Sequence, residues 1–280
     1  MRYQAPERGS IAPEVFDHPV FATLTPLQQQ LCRALNWPEP ADLNALWHPP
    51  MNAQGLPYQF KDQNALLDGK HYELHIAETG SIATRRHNWH DLFNAFVWQN
   101  TPKIKMALNR QQVAEIALVG TRERTRCQAA MTHFDEAGAV LRLDDAVMQA
   151  AWDEHDWPRF FRLWPQAAAR GAVQLWLFGH SIYEHALNPD IALVAKAIVI
   201  QDRHMLTTED MDGLVSGWID QRACLQDPQG LRPIPLSGIP GWHPWHDQAD
   251  FFQRVPCFRP KRIGKVYPDP MCIADSLAVL

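Results

Sequence analysis

The chain has 280 residues, 46% of them hydrophobic and 20% charged, with 26 Lys and Arg against 31 Asp and Glu for a formal net charge of -5. This is the make-up of an ordinary globule long enough to bury a sizeable core, and its acidic balance excludes a nonspecific nucleic-acid binder, whose affinity rests on phosphate neutralisation. Five scattered cysteines without a CxxC pair exclude a disulfide framework and a Cys-rich zinc site.

In chain order, residues 1–23 read as an extended arm around Pro6, Pro13 and Pro19, followed by one domain over residues 24–280. Thr25 and Pro26 offer a cap and a first-turn proline for a helix to about Trp37, striped by Leu27, Leu31 and Leu35. Pro38 and Pro40 stop it, and a short helix follows over 41–47. Tyr72, Leu74 and Ile76 alternate with Glu73 and His75, which predicts a strand ended by Gly80. A helix starts near Asn88 and breaks at Pro102, and a second runs over 103–118. Residues 127–134 and 139–143, on either side of Asp135, Glu136, Ala137 and Gly138, read as a β-hairpin.

Helices are expected over 145–155 and 157–170, then a buried strand over 172–178 bounded by glycines and a short helix over 180–187. Thr207 with Asp210 opens a further helix to about Arg222. From Asp227 onward prolines dominate and predict an irregular C-terminal wrap. With neither repeat nor linker, the pattern predicts a single α+β domain with a mixed sheet of about four or five strands packed with several helices. No stretch approaches the roughly 18 apolar residues of a membrane helix, and the polar start has no signal core. A cytoplasmic protein without membrane insertion is expected.

The densest chemistry lies in residues 85–98. At about 100° per residue, Trp89, Leu92, Phe93 and Phe96 share one helical face, while His90, Asp91, Asn94 and Trp98 share another. Such a His, Asp and Asn set can hold a divalent metal or pair a base with an orienting group; equally, it can cap neighbouring loops. A second set, His180 and Glu184, lies one turn apart just after Gly179, at a helix start. Its spacing is neither HExxH nor HxxEH, and a packing histidine bonded to a carboxylate is the plainer reading.

A third set comprises Arg122, Arg124 and Arg126, which would line one strand face and clamp a phosphate or carboxylate, or pair with Asp135 and Glu136. The HxxH of His243 and His246 is interrupted by Pro244, and residues 153–156 read as a solvated helix end. No P-loop, GxGxxG or GxSxG element is present. The 11 tryptophans and 22 prolines fit either a core of Trp-anchored irregular segments or an aromatic ligand cleft.

Several of these pieces together resemble DUF3025, a bacterial family of unknown function. They are Asn88 to Asn94 with Val97 and Trp98; Lys105 to Asn109; Thr132 with Phe134 to Gly138; Leu177 to His180 with Glu184; Gly238 to Trp242; and Cys257 to Pro260. The resemblance spans about residues 70–262 and implies one fold for these segments, without an activity.

The leading expectation is a metal-assisted or general acid–base hydrolase acting on a small polar or anionic substrate. His90 serves as ligand or base, oriented by Asp91 and Asn94, with His180 and Glu184 opposite. Asp135 or Glu136 completes the site, while Arg124 and Trp98 bind substrate. A divalent metal ion is the cofactor such a set accepts; nucleic acid is not expected, and no protein partner is specified. The alternative is a noncatalytic, Trp-rich binding or scaffold protein, since tryptophan and arginine suit interface anchors.

Overall fold

The computed structural model describes residues 3–66 and 69–273. Residues 274–280 of the expected wrap and the first two of the expected arm lie outside the described residues. The first half of the chain runs α1 (Pro26–Arg33), α2 (Pro40–Ala45), β1 (Gln59–Asp62), α3 (Tyr72–Thr79), β2 (Ser81–Thr84), α4 (Trp89–Asn100), α5 (Pro102–Val119) and α6 (Arg126–Ala137). Then come β3 (Gly138–Leu143), α7 (Ala146–Asp153), α8 (Trp157–Ala169), β4 (Val173–Leu177) and α9 (His180–His185). The last part holds β5 (Ala195–Gln201), α10 (Thr208–Asp220), β6 (Arg232–Ile234), α11 (Phe251–Arg254) and β7 (Met271–Cys272). The class is α+β.

Contacts divide the chain into two compact units interleaved in sequence. One comprises Met1–Thr23, His133–Thr207 and Gln229–Leu280; the other comprises Leu24–Thr132 and Thr208–Pro228. The first unit is built on a mixed five-stranded sheet in the order β4-β3-β5-β6, with β7 also on β5. β3 pairs antiparallel with β4 and parallel with β5; β6 and β7 share the far edge of β5, beside residues 195–197 and 200–201 respectively. Every residue of β3 is buried, so its apolar run has no solvated face.

Arg142, the last residue but one of that strand, is 0% exposed. Its guanidinium donates to Gln174 Oε1 at 2.8 Å, to the Asp202 carbonyl at 2.7 Å and to the Gly171 carbonyl, and burial lowers its pKa. α8 buries Trp157, Phe160, Phe161, Trp164 and Ala167, a stripe at helical spacing, with Asp156 capping its first turn. The expected arm carries three short 3-10 turns, and Phe16, Val20 and Phe21 are buried. His18 locks it to a later turn: Nε2–H donates to the Trp242 carbonyl at 2.8 Å, and Nδ1 accepts from Val20 N–H at 3.1 Å.

The second unit is mainly helical, with β1 and β2 forming a short parallel pair. Thr25 makes the expected capping box, but α1 stops at Arg33 rather than near Trp37, because Ala34 is extended and Leu35 lies 95% exposed. α5 packs along α10, and Asp212 of α10 caps its start, accepting from Lys103 N–H at 3.0 Å and Ile104 N–H at 2.9 Å. Burial pushes the Asp212 carboxyl up to about 6 against the pull of those two N–H groups.

Four further expectations are corrected. The strand over 72–76 is helix α3: His71 Nδ1 accepts from Glu73 N–H at its start, and Gly80, at φ 70°, ends it in the left-handed region. The first arm of the expected hairpin is helix α6, so Asp135 and Glu136 occupy a helix end and Arg122, Arg124 and Arg126 line no strand face. β4 is an edge strand with a half-buried middle rather than a fully buried one, and the C-terminal wrap supplies β6 and β7 to the sheet.

Two pH effects of opposite sign follow. Asp212 has a folded pKa above the ordinary carboxyl value of 3.8, so its contribution is complete below that value and is lost as pH rises through about 6. Asp212→Asn is expected to flatten urea stability over that window, and Asp212→Ala to cost about 1–2 kcal/mol for the lost cap. His18 and His243 are held below the usual histidine value, by burial first; His243 is lowered further by His18 and His246 and raised by Asp190, and its Nδ1 accepts from Trp245 N–H at 3.2 Å. Their contribution is present above about 6.5 and lost as pH falls through the depressed folded values. His18→Gln is expected to reduce the loss of stability between about pH 7 and pH 5.

Candidate active or metal site

β3 and β4 run antiparallel with Ala139 opposite Leu177. The residue before β3 and the residues after β4 therefore lie side by side at one end of the sheet. There α6 delivers Asp135 and Glu136, and α9 begins with His180. Phe178 N–H and Gly179 N–H both donate to the Gly138 carbonyl, at 3.0 and 2.8 Å. A Cβ on Gly179 would overlap the backbone of Ala137 and Gly138, and one on Gly138 would overlap Phe134. The Phe134 and Phe178 rings stack beside this crossing at 4.8 Å.

His180 is 3% exposed. Its Nδ1 is 4.0 Å from Asp135 Oδ2 and its Nε2 is 3.6 Å from Glu136 Oε2. Both separations exceed a hydrogen bond, and they set two carboxylates around one buried imidazole. The Ser181 hydroxyl donates to Glu136 Oε2, which fixes that carboxylate beside the ring. Sequence reasoning named Asp135, Glu136 and His180 but not Ser181, although its place next to His180 at a helix start was a usable signal.

Glu184, one turn along α9, accepts the Tyr3 hydroxyl at its backbone carbonyl at 2.8 Å. Burial, with the Glu184 charge, pushes the Tyr3 phenol up to about 12. The Tyr3 ring meets His185 edge-on at 4.6 Å, so the chain start covers the far end of α9.

The motif helix α4 carries the other expected residues. Asn88 caps it, accepting from Asp91 N–H at 3.0 Å, and His90 follows half-buried in the first turn. The Asp91 carboxylate is engaged by Arg85: backbone N–H at 2.6 Å, Nε at 3.0 Å and a terminal nitrogen at 2.7 Å. That bidentate fork ties the preceding loop to the helix start. Asn94 Nδ2 donates to the Tyr72 hydroxyl at 3.4 Å. Trp98 is 2% exposed and packs on Tyr58 with centroids 5.1 Å apart, and the Lys105 ammonium lies 5.5 Å from the Trp98 ring.

Lys105 is itself only 5% exposed, a buried cation that sequence reasoning did not single out. Its signal was a lysine at helical spacing from buried Leu108 and Gln112. Arg124 donates to the Thr132 hydroxyl at 2.7 Å, and Arg126 pairs with Asp227 through two bonds of 2.6 and 2.7 Å. Both arginines therefore have protein partners on their own unit.

A family model described as a protein of unknown function, DUF3025, matches residues 58–262, and the chain belongs to that family. No curated protein and no solved structure matches it.

The backbone crossing gives a paired stability prediction. Gly179→Ala is expected to cost about 2–3 kcal/mol in urea unfolding, because main chain cannot yield as a side chain can. Gly217→Ala, inside α10 with nothing within 4 Å of the added carbon, is expected to stabilise by about 0.5–1 kcal/mol.

Proposed function

We propose that this member of the unknown-function family is a metal-assisted hydrolase acting on a small polar or anionic substrate. The observation that carries the reading is a deeply buried His180 whose two ring nitrogens each face a carboxylate, Glu136 and Asp135. Glu136 and His180, which lie in the same unit, would be two ligands of a divalent ion. In support, the Ser181 hydroxyl donates to Glu136 Oε2 and holds that carboxylate beside the His180 ring. An imidazole with a carboxylate suits zinc and would leave coordination positions for water and substrate. When bound, such an ion lowers the pKa of its water to about 7 and polarises a carbonyl or phosphoryl oxygen.

The remaining residues position and bind. Asp135 faces the other nitrogen of His180 at 4.0 Å and would orient the ring on metal binding, as outer carboxylates do at histidine-bound metals. Ser181 holds Glu136. Asp91 acts as a positioning residue through Arg85 and the start of α4. Glu184, one turn along α9 from His180, is assigned to the substrate side of the reading.

The alternative, a noncatalytic Trp-rich binding protein, rested on exposed indoles. Six of the 11 tryptophans are buried, and only Trp245, at 39%, stands among the exposed large apolar side chains. That distribution favours the enzyme.

Elemental analysis by plasma mass spectrometry on tag-free protein tests the reading. Near-stoichiometric zinc, manganese or iron is expected, lost in His180→Ala and Glu136→Gln, and retained in Trp245→Ala. Asp135→Asn is expected to weaken metal affinity by about 10–100-fold without abolishing it. A metal-free protein, or variants that keep the ion, would overturn the metal centre and return the binding protein to first place.

A further inference from the structure

Near its C-terminus this acidic chain concentrates positive charge. Arg259, Lys261, Arg262 and Lys265 fall within seven residues, and Lys196 of β5 faces the same field. The Lys265 N–H donates to the Arg262 carbonyl at 3.0 Å, closing a turn in which Gly264 takes φ +75°. A positive φ at the third position is what glycine permits, and it leaves Ile263 at the corner. Ile263 is 106% exposed and Val266 82%. A fully solvated isoleucine between an arginine and a lysine calls for a reason beyond packing.

The segment is held firmly from beneath. His155 Nδ1 and the Trp157 indole Nε1–H both bond the Arg259 carbonyl, at 3.1 and 2.8 Å. His155 Nε2 meets the Tyr267 hydroxyl at 2.9 Å, and the Tyr267 ring lies between Arg232 at 5.3 Å and Lys265 at 4.7 Å. Lys261 pairs with Glu154 at 2.7 Å. The acidic stretch at 153–156 thus anchors the segment rather than simply meeting solvent.

Lys196, Arg259 and Arg262 have no ion pair among the described residues. Arg262, Arg259 and Lys265 add to burial in lowering the Lys196 pKa, as cations crowded together do.

We propose that the turn over 262–265 is the tip of a docking surface for an anionic lipid bilayer. Ile263 and Val266 enter the headgroup boundary, while the exposed Arg259 and Arg262 meet lipid phosphates. Protruding aliphatic side chains ringed by long cations match that interface, where apolar burial and charge attraction act together. A nucleic acid fits less well, because base stacking needs open aromatic faces and the Tyr267 ring is covered by two cations. The contact is adsorption at the surface; no helix among the described residues is long and apolar enough to cross a membrane.

The test is sedimentation of the full chain with sucrose-loaded vesicles of pure phosphatidylcholine, or of phosphatidylcholine and phosphatidylglycerol in equal parts. Binding is expected only to the anionic vesicles and is expected to fall with added salt. Arg259→Gln with Arg262→Gln is expected to lower the partition coefficient roughly 25-fold, at roughly fivefold per charge. Ile263→Ser is expected to lower it several-fold with net charge unchanged. All three positions are exposed, and circular dichroism confirms that each variant folds. Equal binding to both vesicle types, variants that bind like the parent, or preference for a labelled DNA duplex over anionic vesicles would each overturn the proposal.

Discussion

The contact on which the candidate site depends is a backbone crossing without side chains, where Gly138 enters β3 and Gly179 leaves β4. Two main chains can touch only where neither carries a Cβ in the way. Here the contact is sealed by two N–H groups converging on one carbonyl and by a stacked pair of phenylalanines. It brings the end of α6 and the start of α9 into register, so the two carboxylates and the imidazole meet because the sheet ends there. A site set by strand register is more tightly constrained than one carried on loops.

The unusual composition has a structural explanation in the same unit. Irregular, proline-rich segments leave carbonyls that no helix or ladder satisfies, and a buried carbonyl needs a donor. Indoles provide some of them: Trp152 donates to the Pro233 carbonyl and Trp157 to that of Arg259, each at 2.8 Å. Arg142 does the same from the sheet interior, joining the carbonyls of Gly171 and Asp202. Tryptophan here serves as apolar filler and hydrogen-bond donor together, which is why so few indoles reach the surface.

Where the chain announces itself chemically, its sequence was legible. Thr25 before Pro26, Asn88 before the motif helix, Pro102 at a break and Gly179 before a helix all act locally, and all were read correctly. Short segments failed because two periods fit them: Tyr72, Leu74 and Ile76 alternate, yet the turn ends in a glycine cap. The α6 error was avoidable. Cys127, Ala130, Met131 and Phe134 are all buried at the spacing i, i+3, i+4, i+7, a helical stripe overshadowed by the turn-like Asp-Glu-Ala-Gly. Asp135, Glu136 and His180 were named as candidates, but their meeting was not legible. It depends on β3 pairing with β4 across about 30 intervening residues, and pattern does not encode such pairing.

The interleaving of the two units has a consequence for how the protein is made. α5 is packed by α10 and capped by Asp212, a partner more than 100 residues further along the chain. During synthesis the ribosome must emit β3, β4 and β5 before the helix that finishes the earlier unit appears. Until then the long α5 helix lacks its cap and one packing face, an interval in which exposed apolar surface invites chaperones or misassembly. The sheet-bearing unit waits as well, since β6 and β7 come after α10. Neither unit is a piece that can be cut from the chain at a single point, and truncations placed between them would remove a strand or a helix from both.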